Sequence, residues 1–332
     1  MVPGDARLPV NILTGFLGSG KTTVLRHVLR DPAFADTAVL INEFGEVGLD
    51  HLLVGALEEA PVLLASGCIC CSIRGDLSRA MRDLHARRQR GEVPPFGRVI
   101  VETTGLADPT PILATLTGDL VIRRHFRPGN IVATLDALHA ERGLARHAEV
   151  SRQAAIADRL IVTKTDLAPA GDVARLRHTL RRLNPAAPVA EAVLGAVDPD
   201  ILIGQDIHAP ETRMTEARHW MQADRAGSNR HGGAITSFCL RLSGTLDWHA
   251  FGLWFSMLAH RHGDKLLRVK GILHVEDSET PVAIHAVQHV IHAPEHLPGW
   301  PDAERGSRIV FITQGLERDA VERSLHVFHR LK

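Results

Sequence analysis

The sequence predicts a doubly wound, mainly parallel α/β sheet followed by a smaller α+β domain. Three observations carry that prediction. Over the first 200 residues, short runs dense in Val, Ile and Leu alternate with stretches of helical periodicity. Residues 204–233 lose this pattern, turn polar and end on a Gly pair, and beyond them longer alternating segments take over. Strands alternating with helices imply right-handed crossovers between parallel neighbours, and the later run of strands implies an antiparallel sheet.

The apolar runs at 8–14, 37–41, 61–65, 98–101, 130–135 and 159–162 are bounded by turn residues. They read as buried parallel strands, because a strand covered on both faces needs no polar alternation. Helical stretches fall at 21–30, 76–90, 149–158 and 172–183, where Val173, Leu176, Leu180 and Leu183 form one stripe. The polar segment reads as a linker with a short helix inside it. Next come a strand at 234–242, an amphipathic helix at 247–262 carrying Trp248, Phe251, Trp254 and Phe255, and a strand at 265–275. Residues 281–292 alternate and pair with that strand through the DSET turn, and 308–313 and a helix from Glu317 close the chain. The expected domains are therefore 1–203 and 234–332, joined by 204–233.

Gly15, Gly18, Ser19, Gly20, Lys21, Thr22 and Thr23 belong to GFLGSGKTT, which has phosphate-loop spacing and stands between a predicted strand and a predicted helix. The glycines let backbone amides curl around an anion, the helix N-terminus adds its dipole, and Lys21 reaches the β- and γ-phosphates. Thr22 offers its hydroxyl to Mg²⁺. The strand at 98–101 runs into Glu102 and then Gly105, an acid to hold Mg²⁺ through water and an amide to sense the terminal phosphate. The strand at 159–162 opens directly into Thr163, Lys164, Thr165 and Asp166. Phosphate-loop GTPases carry Asn/Thr-Lys-x-Asp here. The Asp accepts guanine N1–H and the exocyclic amine, a pairing adenine cannot offer, while the Lys stem lies along the base plane. The bland reading is that Asp166 only begins the following turn.

Of 4 cysteines, Cys68, Cys70 and Cys71 crowd into GCICCS, expected as a loop between the 61–65 strand and the helix from Asp76. A disulfide inside so short a loop would be strained. Thiolates near a helix N-terminus are more acidic and bind metal better. Three sulfurs converging on one point suit Zn²⁺ first, with Co²⁺ or Cu⁺ after it. A redox switch and inert buried thiols are the rival readings. The cluster lies between the segment holding Glu43 and Glu46, where GTPases keep a nucleotide-sensing switch, and the strand ending in Glu102. A metal there would feel whether the γ-phosphate is present. Cys239 stands alone in a strand and reads as a small core residue. Of the 20 histidines, His285, His289, His292 and His296 gather near one strand, as a polar sheet face or an auxiliary metal site.

Composition excludes more than it identifies. With 38 Lys+Arg against 38 Asp+Glu the formal charge is zero, which argues against nucleic-acid binding through a global basic surface. No stretch lacking Asp, Glu, Lys and Arg is longer than 15 residues, too short to span a bilayer. Asp5 and Arg7 stand where a signal peptide needs its apolar region, and the few clustered thiols form no disulfide framework. The expectation is a cytoplasmic protein with no membrane partner.

In order along the chain, GFLGSGKTT, INEFGEVGLD, GCICC, VETTGLADP and TKTD resemble the CobW family of metallochaperone GTPases, and LLRVKGIL and RGSRIVFI resemble that family's second domain. The resemblance covers essentially the whole chain. It implies a slow GTPase of the same class as the urease and hydrogenase maturation factors, cycling between GTP and GDP and delivering a metal to a client apo-metalloprotein. It further implies Mg²⁺ at Thr22 and Glu102 and a transferable Zn²⁺ or Co²⁺ at Cys68, Cys70 and Cys71, with help from Glu43 or Glu46. Those two glutamates are also the candidates for positioning the attacking water. Many relatives carry a His-rich linker; here only His208, His219 and His231 fall in it, well separated. The second domain is expected to meet the client or a second copy of the chain. Two rivals stand beside this reading: a GTP-dependent metal sensor or interaction switch, and a P-loop ATPase or kinase with structural cysteines.

Overall fold

The computed structural model describes residues 6–42, 62–63, 69–73, 76–204, 212–222, 229–230 and 235–330. Glu43, Glu46 and Cys68 lie outside these residues. The chain divides into two compact units that interleave in sequence. The first is Met1–Gln153, Arg159–Val173 and Ala190–Gly204; the second is Ala154–Asp158, Ala174–Val189 and Gln205–Lys332.

The first unit is built on a sheet of β1 (Leu8–Gly15), β2 (Thr37–Asn42), β3 (Val62–Leu63), β4 (Ile69–Ile73), β5 (Arg98–Thr103), β6 (Phe126–Asp136), β7 (Arg159–Thr163) and β8 (Val189–Ala192). Their spatial order is β3-β4-β2-β5-β1-β6-β7-β8. From β4 through β7 every neighbouring pair is parallel, as the apolar runs predicted. Two expectations need correction. Of the 61–65 strand, expected to be parallel, only Val62–Leu63 are described, as β3, and these run antiparallel to β4. The thiol segment, expected as a loop, is in part a strand: Ile69, Cys70 and Cys71 ladder onto Ala38, Val39 and Leu40. Pairing with β2 satisfies the backbone groups that β2 would otherwise present as an edge.

β6 is longer than its apolar core suggested because it absorbs Pro128 and Gly129 in a bulge. The ladder to β1 shifts between Val10 and Ile12, and the side chain of Asn11 accepts the Asn130 N–H at 2.8 Å. The extra residue is thus accommodated without orphaning a buried amide. Helix α1 (Lys21–Val28) follows β1 and packs Val24, Leu25 and Val28 against Leu13, Val39, Ile100, Val132 and Ile161. Helix α2 (Leu77–Arg90) begins where the Asp76 carboxylate accepts the Ser78 N–H, an N-cap that the sequence carries openly.

The second unit holds an antiparallel sheet: β9 (Asn229–Arg230), β10 (Ile235–Leu242), β11 (Leu266–Leu273), β12 (Val282–Val287), β13 (Val290–Ile291), β14 (Glu295–His296) and β15 (Ser307–Gln314). The order is β13-β12-β11-β15-β10-β9, with β14 on β12. Two helices, Trp248–His262 and Arg318–Arg330, cover one face. Phe251, Trp254, Phe255, Leu258, Val321 and Leu325 pack there on Phe238, Leu240, Val269, Ile309 and Phe311. Asp247 caps the first of these helices by accepting the Ala250 N–H.

Alternation sends Arg268, Lys270 and Ile272 to the opposite face. There Trp220 and Met221, on the helix Arg213–Gln222 inside the polar segment, pack with Ile272 and Ala283. Asp158 ion-pairs with both Arg268 and Lys270 on this side. Asn184, fully buried, donates to the carbonyls of Ala154, Ala155 and Ala157 at 2.9, 3.1 and 2.8 Å and so closes a helix end that would otherwise leave them unsatisfied. His285 and His292 stack at 4.3 Å and both are buried, and His285 is the ladder partner of Lys270, so these two belong to a polar sheet face that is buried. His289 bonds instead to Asp264 and the Ala259 carbonyl. Among the described residues no three His, Cys, Asp or Glu side chains are grouped to hold a metal, and no helix is long and apolar enough to cross a membrane.

Candidate functional site

In a parallel α/β sheet the loops at the carboxyl ends of the strands form the ligand crevice. Gly15 ends β1 at φ 141°, and a Cβ there would sit 2.3 Å from Thr134 Oγ1 and 2.5 Å from the Thr134 carbonyl. Only glycine admits this approach, so the loop Gly15–Gly20 wraps tightly over β6. Gly20, at φ 91°, precedes Lys21, and no side chain caps the N-terminus of α1. The amides there present a partial positive charge to an anion. Lys21 is buried, its ammonium donating to the carbonyls of Gly15 (2.9 Å) and Phe16 (3.2 Å).

Thr22 donates its hydroxyl to Glu102 Oε1 at 2.6 Å. The two residues named from sequence for one ion therefore meet, although 80 positions separate them. Glu102 is the penultimate residue of β5 and is buried. Gly105 lies three residues on, where an added Cβ would stand 2.5 Å from the Leu17 nitrogen. The loop after β5 thus presses its backbone against the phosphate loop. Gln153, also buried, donates to the carbonyls of Gly105 and Ala107 at 3.2 and 3.1 Å and pins that loop from the other side.

Thr163 ends β7 and donates its hydroxyl to the Ser19 carbonyl at 2.7 Å, tying the TKTD turn to the phosphate loop. Ser19 itself bonds Thr134 through their hydroxyls at 2.7 Å. Lys164 follows with φ 56°, a left-handed conformation rare outside glycine. Asp166 is exposed in the turn. The sequence reading missed Asp136, the last residue of β6, which ion-pairs with Lys164 at 2.5 Å. An acid at the carboxyl end of an apolar strand was the available signal. It also missed the turn after β8, where Gly195 abuts the Thr23 backbone of α1 and Leu194 has φ 50°.

Cys70 and Cys71 lie on β4, and the ladder fixes their backbone positions. Ser72 is level with Ile41, and Ile41 is level with Glu102. The thiol strand is therefore two strands from the acid, one residue out of row.

A tightly wrapped loop, an uncapped helix, a buried lysine and a Thr–Glu pair define a phosphate-loop nucleotide-binding protein. Comparisons agree. The CobW/HypB/UreG nucleotide-binding domain matches residues 9–191, and the cobalamin synthesis protein cobW C-terminal domain matches 235–328. The chain belongs to the CobW/HypB/UreG family. It is 34% identical over 307 residues to the zinc chaperone YjiA of Escherichia coli, covering 92% of this chain and 93% of that one. It is 30% identical over 351 residues to the zinc chaperone CobW of Pseudomonas aeruginosa, covering 96% and 91%. The crystal structure of Zn(II)-bound YjiA GTPase from E. coli superposes with a TM-score of 0.75 at 28% identity, covering 97% of this chain and 99% of that one.

Proposed function

We propose that this chain is a GTPase that carries Zn²⁺, with Co²⁺ the next candidate, and surrenders it to a client apo-metalloprotein. The metal is cargo, held by Cys68, Cys70 and Cys71. The observation that supports the reading best is the sheet order β4-β2-β5, which sets the cysteine strand beside β2 and β2 beside the Glu102 strand. At about 4.8 Å per strand, the backbones of Cys71 and Glu102 lie on the order of 10 Å apart across the sheet. β2, which lies between those two strands, ends at Asn42, the residue before Glu43.

GTP binds with its phosphates against the amides of Gly15, Gly18, Ser19, Gly20 and Thr23, its guanine edge on Asp166 and its ring along Lys164. Lys21 exchanges its carbonyl partners for β- and γ-phosphate oxygens and stabilises charge developing on the transferring phosphoryl group. A threonine hydroxyl and a carboxylate are hard oxygen donors that suit Mg²⁺, so Thr22 and Glu102 would hold it. When bound, the ion neutralises charge between the β- and γ-phosphates. Gly105, close against Leu17, offers its amide to the γ-phosphate, and Glu43 or Glu46 orients the attacking water. Residues 234–332 supply the face for the client or for a second copy.

The test is anaerobic zinc titration of protein loaded with GDP or with a non-hydrolysable GTP analogue, together with Cys70→Ser/Cys71→Ser. Tighter zinc binding in the GTP-analogue state, abolished in the double variant, is expected. Equal affinity in the two states would refute the coupling, and retained affinity in the variant would refute the site.

A further inference from the structure

The sequence places Lys164 in the base-recognising turn but leaves open what keeps its long side chain in place. The structure supplies a holder. Asp136 and Thr163 are partners on adjacent strands, each at its strand's end. Asp136 is 8% exposed, and both carboxylate oxygens are engaged. Oδ1 accepts the Leu138 N–H at 2.8 Å, and Oδ2 takes the Lys164 ammonium at 2.5 Å with His139 Nδ1 3.1 Å away. Burial raises the carboxyl pKa, but the bonds from Lys164, the Leu138 amide and His139 outweigh it and hold the group ionised below the usual range. The backbone is tied as well: the Ala137 N–H donates to the Thr163 carbonyl at 2.9 Å, and the Leu167 N–H to the Lys164 carbonyl at 3.1 Å.

Lys164 adopts its left-handed conformation, φ 56°, inside this frame. Such a conformation costs a non-glycine residue about 1 kcal/mol and persists where the surroundings over-determine it. The ammonium is drawn from β7 toward the end of β6, the strand that lies between β7 and the β1 phosphate loop. The four-carbon stem consequently runs across the strand ends, along the floor of the crevice where a base attached to phosphates at Gly15–Thr22 must lie.

We propose that Asp136 is a positioning residue for nucleotide recognition: it clamps the Lys164 ammonium so that the lysine stem forms a fixed floor for the purine ring. The proposal rests on the assignment of Lys164 and Asp166 to the base. It predicts that Asp136 acts on nucleotide affinity, through Lys164 alone, and not on the phosphates.

The experiment measures binding of GDP, ADP and inorganic tripolyphosphate to the full chain and to Asp136→Asn, Asp136→Ala, Lys164→Met and Asp136→Ala/Lys164→Met. Asp136→Asn keeps the volume and an acceptor for the Leu138 amide, so it preserves the fold. Loss of one charge-assisted hydrogen bond predicts about a tenfold weaker GDP affinity in each single variant. The double variant should be no weaker than Lys164→Met, tripolyphosphate affinity should be unchanged throughout, and KM for GTP should rise far more than kcat falls. Multiplicative losses in the double variant, equal loss of tripolyphosphate binding, or unaltered GDP affinity in Asp136→Asn would each overturn the proposal. A wild-type chain that binds ADP as tightly as GDP would refute the guanine assignment instead. The Asp136 arms remain decisive then, because the stem packs against either purine.

Discussion

Asp158→Ala is expected to destabilise the second unit severely. Asp158 is 5% exposed and ion-pairs with Arg268 and Lys270, each 1% exposed. Lys270 Nζ lies 2.9 Å from the carboxylate and also 4.7 Å from the centre of the Trp220 ring. Truncation removes the carboxylate shared by two cations that water does not reach. Breaking a buried pair in this way costs about 3–5 kcal/mol, and sharing between two cations places the change at the upper end. The assay is favourable because all four tryptophans, Trp220, Trp248, Trp254 and Trp300, lie in the second unit and the chain has no tyrosine. Intrinsic fluorescence therefore reports on this unit. At a urea dependence of about 2 kcal/mol per molar, the midpoint should fall by about 2 M. Lys270→Met should cost less, since the carboxylate keeps Arg268. A fall below about 0.5 M for Asp158→Ala would mean the cations are hydrated, and the argument from burial would fail.

Three further outcomes follow from single residues. Gly105→Ala places a methyl 2.5 Å from the Leu17 nitrogen, so the loop after β5 must shift; GDP affinity should drop and the melting temperature fall, at a cost of about 1–3 kcal/mol. Burial, its stacked neighbour His292 and then Arg268 push the His285 imidazole well below its ordinary 6.5. Below that pH the unfolded ring binds a proton that the native one refuses, so stability is full above it and declines on acidification by up to about 1.4 kcal/mol per unit. His285→Gln should remove one proton's share of that slope in urea midpoints measured between pH 7.5 and 5.5. Leu194→Gly relieves a left-handed leucine that is 80% exposed, and should raise stability by about 0.5–1 kcal/mol in thermal unfolding followed by circular dichroism.

The parallel strands were legible because burial on both faces writes itself as unbroken Val, Ile and Leu, and the ends of β1, β2, β5 and β7 fell within two residues of their runs. The phosphate loop was legible because its glycines are demanded locally by φ and by close approach. The strand at Ile69–Ile73 was not, since a five-residue run of Ile, Cys and Ser carries no alternation and its partner β2 lies about 30 residues earlier. Asp136 was hidden for a related reason. Its carboxylate matters through Lys164, 28 residues away, and a contact of that kind leaves no period in the sequence. The cluster of Asp158, Arg268 and Lys270 spans still more chain, and the alternation of β11 shows only that two cations share a face. Among the histidines, spacing correctly brought His285 and His292 together but could not say that the face they share is buried.

On the proposed reading, the sign of a coupling between metal and nucleotide depends on the net charge that metal binding adds to the thiol site. Three thiolates already ionised would gain two positive units on binding a dication, whereas three thiols that release their protons on binding would lose one unit net; loss of the γ-phosphate removes one unit of negative charge beside Lys21. For preformed thiolates, two positive units would lose the attraction of one negative unit on hydrolysis, so on the proposed reading zinc would be held more tightly before hydrolysis than after it. With the separation of about 10 Å between the Cys71 and Glu102 backbones taken as the distance between the charges, and an effective dielectric constant of about 20, this would be worth about 3 kcal/mol. A Debye length of about 8 Å at physiological salt screens it toward 1 kcal/mol, roughly a fivefold change in affinity. For preformed thiolates, electrostatics across β4, β2 and β5 would then favour loading with GTP and release with GDP, the direction that the proposed delivery needs.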